Sequence, residues 1–150
     1  MRTYTWILVW GTLVAWSCHT GRTGVESRLE GYWELRGVSQ VTIAGLTRVD
    51  YPAGNGHILR FNGSSFALYA NGELKSRGVY SVERLDSAQR KESCLSPDER
   101  RRFPYRIVSD SGPEFGPFRI QGDSLVVSSS CIGIDNAWQR VYKRIRVGRS

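Results

Sequence analysis

The chain has 150 residues, and its 21 Lys and Arg outnumber its 14 Asp and Glu, which gives a formal net charge of +7. This length suits one domain and is short for two. With 40% hydrophobic and 23% charged residues, the composition excludes a disordered tail and a protein that crosses the membrane many times.

The first predicted element is an apolar N-terminal segment. Residues 4–16 are almost entirely apolar and follow Arg2. As a helix this run reaches about 20 Å, which is shorter than the roughly 30 Å hydrocarbon core of a bilayer. A basic start, a short apolar stretch and a small residue are typical of a secretory signal peptide, here residues 1–17. The alternative is a buried core helix, which three Trp followed by a polar stretch fit poorly.

The end of this segment, Ala15-Trp16-Ser17-Cys18, resembles a bacterial lipobox. The resemblance implies cleavage before Cys18 and a diacylglycerol on its thiol. Each buried CH₂ contributes about 0.8 kcal/mol, so several acyl chains hold a soluble domain on a membrane. We therefore expect an exported lipoprotein on the bacterial outer membrane, on its periplasmic or its surface face. The alternative is ordinary secretion with Cys18 removed or free.

Two further cysteines belong to the expected domain. If Cys18 is acylated, Cys94 and Cys131 remain as an even pair in an oxidising compartment. A bridge between them would close a loop of about 38 residues and contribute up to roughly 4 kcal/mol. The alternative is a pair of free buried cysteines. Neither cysteine belongs to a CxxC pair, and the chain has only 2 His, so we expect no metal and no cofactor.

Beyond a polar, flexible tether at residues 18–28, the pattern is that of β-strands across one domain, residues 29–146. The predicted strands are 31–38, 41–46, 57–61, 65–70, 73–84, 105–109, 115–121, 124–130 and 137–145. Asn62-Gly63 and Asn71-Gly72 predict hairpins, because both residue types tolerate positive φ. Ser96-Pro97-Asp98-Glu99 has the spacing of a capping box and predicts a short helical turn.

About eight amphipathic strands with short connections predict an all-β fold. An open sheet of that size would leave two free edges and one wet apolar face, whereas closure into a barrel removes the edges and buries the face. The sequence therefore predicts an eight-stranded up-and-down antiparallel barrel. A β-sandwich is the alternative.

Short motifs along this domain resemble those of lipocalins and related calycin barrels. Gly31-Tyr32-Trp33 opens the first predicted strand like the Gly-x-Trp signature of that family. The segments similar to small lipocalin-like lipoproteins of Bacteroidetes are Glu34-Leu35, Ile58-Leu59-Arg60-Phe61, Tyr69-Ala70-Asn71-Gly72, Gly78-Val79-Tyr80 and Tyr142-Lys143-Arg144-Ile145. The resemblance implies a lipidated barrel closed by a Trp from the first strand under a basic residue from the last. These are Trp33 and Arg144, with Arg140 as the alternative, and the contact would contribute about 0.5–2 kcal/mol.

Motifs of enzymatic chemistry are missing from the sequence. It has no Gly-x-Ser-x-Gly, no His-Glu-x-x-His and no phosphate-cradling Gly loop, so we do not expect an enzyme. A small hydrolase or isomerase built around His57 is the alternative. The basic excess is able to bind phosphates, but an exported chain rarely meets nucleic acid. We expect no nucleic-acid partner and favour anionic lipid headgroups, or else a solvated charged loop.

The leading functional hypothesis is a membrane-anchored module that binds a small apolar or amphipathic ligand in its barrel. The residues expected to line the cavity are Leu35, Leu59, Phe61, Phe66, Leu68 and Tyr80. The alternative is a structural or inhibitor-type envelope lipoprotein with a packed barrel, which contacts an envelope protein through loops such as residues 85–102.

Overall fold

A computed structural model of the chain describes residues 24–42, 44–86, 101–112, 115–129 and 137–146. The elements are α1 (Gly24–Leu29), β1 (Gly31–Thr42), β2 (Gly45–Asp50), β3 (Ile58–Asn62), β4 (Ser65–Ala70), β5 (Glu73–Arg84), β6 (Tyr105–Ser109), β7 (Pro117–Gln121), β8 (Ser124–Ser128) and β9 (Trp138–Ile145). The predicted signal peptide, Cys18, Cys94, Cys131 and the helical turn at residues 96–99 lie outside the described residues. Among the helices that the structure describes, none has the length and apolar character needed to cross a bilayer.

Eight of the strands form a closed antiparallel barrel. Neighbours along the chain pair from β3 through to β9, and β1 pairs with β3 through residues 31–34 and with β9 through residues 32–40. A sheet whose first and last strands pair has no free edge within the barrel. The prediction of an eight-stranded up-and-down barrel is confirmed, and the β-sandwich alternative is wrong.

The ninth strand, β2, differs in its bounds from the strand predicted at residues 41–46. Residues 41–46 were predicted to be one strand, but β1 continues to Thr42, the chain turns, and Gly45 pairs back with Thr42. The turn is stabilised by the Thr42 hydroxyl, which donates to the Gly45 carbonyl at 3.0 Å. All six residues of β2 are exposed, so β2 extends the sheet beyond the barrel. The prediction failed because apolar residues continue to alternate through the turn, and no Asn-Gly pair marks it.

Both Asn-Gly hairpins are confirmed. Asn71 and Gly72 have φ angles of 55° and 79°, and Gly63 has a φ of 60°. These left-handed turns join β3 to β4 and β4 to β5, and they set the register in which Phe61 pairs with Phe66. The register places alternate residues of the three strands on the same face.

Helix α1 closes one end of the barrel. The tether prediction covered residues 18–28, but residues 24–28 are helical and Leu29 is fully buried. The Trp33 indole N–H donates to the Leu29 carbonyl at 2.6 Å, which fastens the helix to β1. An isolated helix of six residues is not stable in water, so contacts with the barrel stabilise α1. Residues 24–28 are therefore part of the folded domain.

The barrel interior holds a continuous hydrophobic core. Its buried members are Leu29, Trp33, Leu35, Leu59, Phe61, Phe66, Tyr80, Ile107, Phe115, Phe118, Leu125, Val127 and Tyr142. Aromatic rings meet at its centre: Phe61 lies 4.8 Å from Tyr80, and Phe66 lies 5.1 Å from Phe115, each with an edge-to-face geometry. A smaller cluster of Phe103 and Val126, with half-buried Val141 against it, is separate from this core.

The segment that brings Phe115 into the core is fastened to β5. The Asp110 carboxylate accepts a hydrogen bond from the Val79 backbone N–H at 2.9 Å, and the Ser111 hydroxyl donates to the Arg77 carbonyl at 3.1 Å. Backbone N–H donation from Asp110 to Val79 adds a third bond at 3.2 Å. These bonds hold the chain beside β5 as it leaves β6, and Phe115 then packs inside the barrel.

Candidate functional site

The residues expected to close the barrel are in contact. The Arg144 guanidinium lies 4.2 Å from the centre of the Trp33 ring. It also donates to the carbonyls of Arg28 and Glu30, the latter at 2.6 Å. Carbonyls at the end of a helix have no partner within the helix, so a cation is favourable there. Arg144 thus connects the indole of β1 to the end of α1, which is a structural role.

Gly31 leaves the space that this contact needs. Its φ is +118°, and a Cβ on Gly31 would lie 3.0 Å from Nη1 of Arg144. Only glycine adopts that backbone conformation without strain. The spacing of Gly31 and Trp33 at the start of β1 therefore has a physical explanation: the first residue admits the guanidinium and the second supplies the ring beneath it.

The six residues expected to line a ligand cavity lie in the barrel core. Leu35, Leu59, Phe61, Phe66 and Tyr80 are buried, and Leu68 is half-buried and packs against them. Since these side chains pack in one cluster, they fill part of the barrel interior. Their role in ligand binding stays a prediction, and a ligand would need space that this cluster does not fill.

A second group on β9 is better placed for binding. Strand residues alternate between the two faces of a sheet, so Trp138, Arg140 and Tyr142 share the inner face with Arg144. Arg140 pairs with Val38 of β1 and Val127 of β8. It lies four residues before Arg144, which places it about 13 Å along the strand from the end closed by α1.

The guanidinium of Arg140 lies in apolar surroundings. It is 4.2 Å from the centre of the Trp138 ring, and both side chains are half-buried. Tyr142 is 4% exposed. Burial raises the pKa of the Tyr142 hydroxyl, while the charge of Arg140 and its hydrogen bond to that hydroxyl oppose the shift. Within the described part of the chain, no carboxylate forms an ion pair with Arg140.

Sequence reasoning identified Arg140 only as the alternative partner of Trp33. The signal for this group was the alternation in the last strand, because residues two apart from Arg144 share its face. Recognising the group required knowing that this face is the inner one. Leu125 and Val127, which are opposite Tyr142 and Arg140 on β8, are both buried and confirm the assignment.

Two other polar positions have structural explanations. Glu34 is 4% exposed, and it accepts a hydrogen bond from the Gly54 backbone N–H at 2.7 Å and pairs with Arg36 at 2.7 Å. One carboxylate oxygen therefore holds the chain between β2 and β3, and the other pairs with Arg36 of the same strand. The His57 ring contacts Tyr51 edge-on, 5.6 Å between centres. In the described ranges, no three His, Cys, Asp or Glu side chains are close enough together to hold a metal ion.

Comparison of the chain with protein-family models, curated proteins and solved structures gave no match.

Proposed function

We propose that this chain is an exported, membrane-anchored barrel protein that binds a small amphipathic carboxylate inside the barrel, at the end opposite α1. The observation that supports binding is Arg140, a half-buried cation on the inner face of β9 with no acidic partner among the described residues. Anchoring through Cys18 rests on the lipobox-like motif at the end of the apolar segment.

The chemistry of the Arg140 group favours an anion. Moving a charge out of water is costly unless it is paired, and Arg140 has a ring and a neutral hydroxyl as its described partners. A carboxylate ligand would pair the charge of Arg140, because the planar guanidinium donates to both carboxylate oxygens at once. The Tyr142 hydroxyl is able to donate a further hydrogen bond, since its raised pKa keeps it protonated at neutral pH.

The surroundings of Arg140 favour a ligand that is apolar beyond its charged group. Val38 and Trp138 are half-buried members of the core, so both are partly covered and partly accessible. The packed core next to these residues limits the length of the ligand's apolar tail. A medium-chain fatty acid has this combination of a carboxylate and a short apolar tail.

Binding is tested with octanoate and with octanol, which has the same tail length without the charge. Trp33 and Trp138 are the two tryptophans beyond residue 17, so emission from Trp138 reports on the site. Arg140→Gln should weaken octanoate binding by about tenfold or more, since it removes a charge-assisted hydrogen bond. Octanol binding should change little, and Arg48→Gln on exposed β2 is the matched control.

A packed, structural barrel is the second candidate, and the filled core favours it. Most of the loop expected to act in that case, residues 87–100, lies outside the described residues. Equal octanoate affinity in the wild type and in Arg140→Gln, together with the absence of a bound small molecule in native mass spectra of protein from its own host, would favour this candidate over a binding module.

Anchoring makes a separate prediction. Cys18→Ala should move the protein from the membrane fraction to the soluble fraction, because the thiol that carries the lipid is gone. Immunoblots of fractionated cells measure the change, and Ser17→Ala, which keeps a small residue before the cysteine, should stay in the membrane. If Cys18→Ala also stays there, the anchor is not this thiol.

A further inference from the structure

A depression with a volume of about 460 Å³ lies across β3, β4 and β5, apart from the Arg140 group. Its lining includes Arg60, Ala67 and Arg77, with Asn62 and Ser65 beside them, and also Phe66 and Gly78 of the adjacent row. Arg60 pairs with Ala67, and Ala67 pairs with Arg77, so the three form one row across the sheet. The adjacent row contains Phe61 and Phe66, whose rings fill the core. Since successive residues face opposite sides, the arginine row faces outward.

The spacing within this row leaves a gap between two cations. Neighbouring strands are about 4.8 Å apart, so Arg60 and Arg77 are separated by about 10 Å at their Cβ atoms, with only a methyl group between them. Arg60 is held by Tyr32, since its guanidinium lies 5.2 Å from the centre of that ring. A guanidinium stacked on a ring keeps its N–H groups in its own plane, where they are able to donate to an anion.

Three other arginines on the outside of the barrel have carboxylate partners, whereas Arg60 and Arg77 have none in the described part of the chain. Arg36, Arg48 and Arg106 each pair with a carboxylate at 2.7–2.9 Å. Within the described ranges, neither Arg60 nor Arg77 forms an ion pair. Two arginines without an ion pair among the described residues therefore line one depression.

One acidic group offsets part of this positive charge. Asp110 also lines the depression, and Oδ1 of its carboxylate accepts a hydrogen bond from the Val79 backbone N–H at 2.9 Å. This bond fastens the segment after β6 and leaves the carboxylate charged, so the depression holds two cations and one anion. The Ser65 hydroxyl donates to the Asn62 backbone carbonyl at 2.7 Å, and the side-chain amide of Asn62 supplies a further donor type for an anion.

We infer that this depression binds a phosphate group, held between Arg60 and Arg77 over Ala67. A phosphate monoester carries a charge of about −1.5 to −2 and has oxygens on several sides, which suits two cations that approach from opposite directions. The phosphate could be that of a free metabolite or of a lipid headgroup. Leu74 and Val79 lie on β5 on either side of Arg77, and they are 49% and 53% exposed. Their side chains offer apolar contact to a lipid.

Calorimetric titration of the full mature protein in neutral detergent tests the site with two probes. Glycerol 3-phosphate represents a free phosphate, and micelles doped with phosphatidylglycerol represent a headgroup. Each of Arg60→Gln and Arg77→Gln should weaken binding by about tenfold, and the double variant should abolish it. Binding should also fall as salt is added, because both arginines are near solvent.

Matched controls separate this site from net charge and from the barrel interior. Arg48→Gln removes one surface charge that is already paired, and Arg140→Gln removes the interior cation; neither should change phosphate affinity. Ala67→Leu should weaken binding by filling the gap without changing charge. Binding of glycerol 3-phosphate assigns a free phosphate, and binding of the doped micelles alone assigns a headgroup. Binding of neither probe, or an equal loss in Arg48→Gln, overturns the inference.

Discussion

Arg144→Ala should destabilise the domain by about 2–4 kcal/mol, because it removes a cation–π contact and two hydrogen bonds from a charged donor. The loss has two physical parts. The Trp33 ring loses the guanidinium that covers it at 4.2 Å, and the carbonyls of Arg28 and Glu30 lose their donor at the end of α1. The midpoint of urea unfolding, followed by tryptophan emission, measures the effect.

Two further variants define the cause. Lys143→Ala, next along β9, removes an exposed side chain that donates to the Ser124 hydroxyl, and it should change stability by no more than about 0.5 kcal/mol. Arg144→Lys keeps the charge and loses the planar fork, so its stability should lie between those of the wild type and Arg144→Ala. If Arg144→Ala unfolds at the same urea concentration as Lys143→Ala, the closed end is held by other contacts.

The barrel itself could be predicted because its determinants are local. Alternation identified the strands, and the pairs Asn62-Gly63 and Asn71-Gly72 fixed two reversals with backbone conformations that few residues adopt. The contact between Trp33 and Arg144 was predicted from short motifs of the first and last strands that are similar to those of a known family. No local signal marks the turn after Thr42, and so the predicted strand 41–46 combines the end of β1 with the start of β2.

The rest depends on contacts between distant parts of the chain. Helix α1 is too short to be recognised by its own propensity and forms against the barrel. The row of Arg60, Ala67 and Arg77 exists only once the register of three strands is set. A sequence shows that two arginines lie on strands, but it does not show that they face each other across an alanine.

Phe115 determines whether the barrel interior is filled, although it lies outside the regular strands. It is 7% exposed, and its ring is 5.1 Å from that of Phe66 and 6.1 Å from that of Phe61. The segment that carries it is fastened to β5 by Asp110 and Ser111. Because these hydrogen bonds do not involve the Phe115 ring, truncating the ring should leave the segment in place and create a void inside the barrel.

Phe115→Ala should therefore cost about 3–5 kcal/mol and create an apolar cavity inside the barrel. An apolar cavity stays dry and binds small apolar molecules, so the variant should take up xenon or benzene, which nuclear magnetic resonance detects as shifts of neighbouring methyl groups. Phe103→Ala is the matched control, since Phe103 is 1% exposed but packs with Val126 and Val141 in the separate cluster. It should lose similar stability without shifts at Leu59.

The pair of variants Phe115→Ala and Phe103→Ala also tests the proposed ligand. If the void left by Phe115→Ala is joined to the binding site, this variant should extend the tail length that the barrel accepts, so that decanoate gains affinity relative to octanoate. Phe103→Ala should leave that ratio unchanged. A Phe115→Ala protein that keeps wild-type stability and takes up no xenon would show that this ring does not fill the interior, and the packed core would then need another explanation.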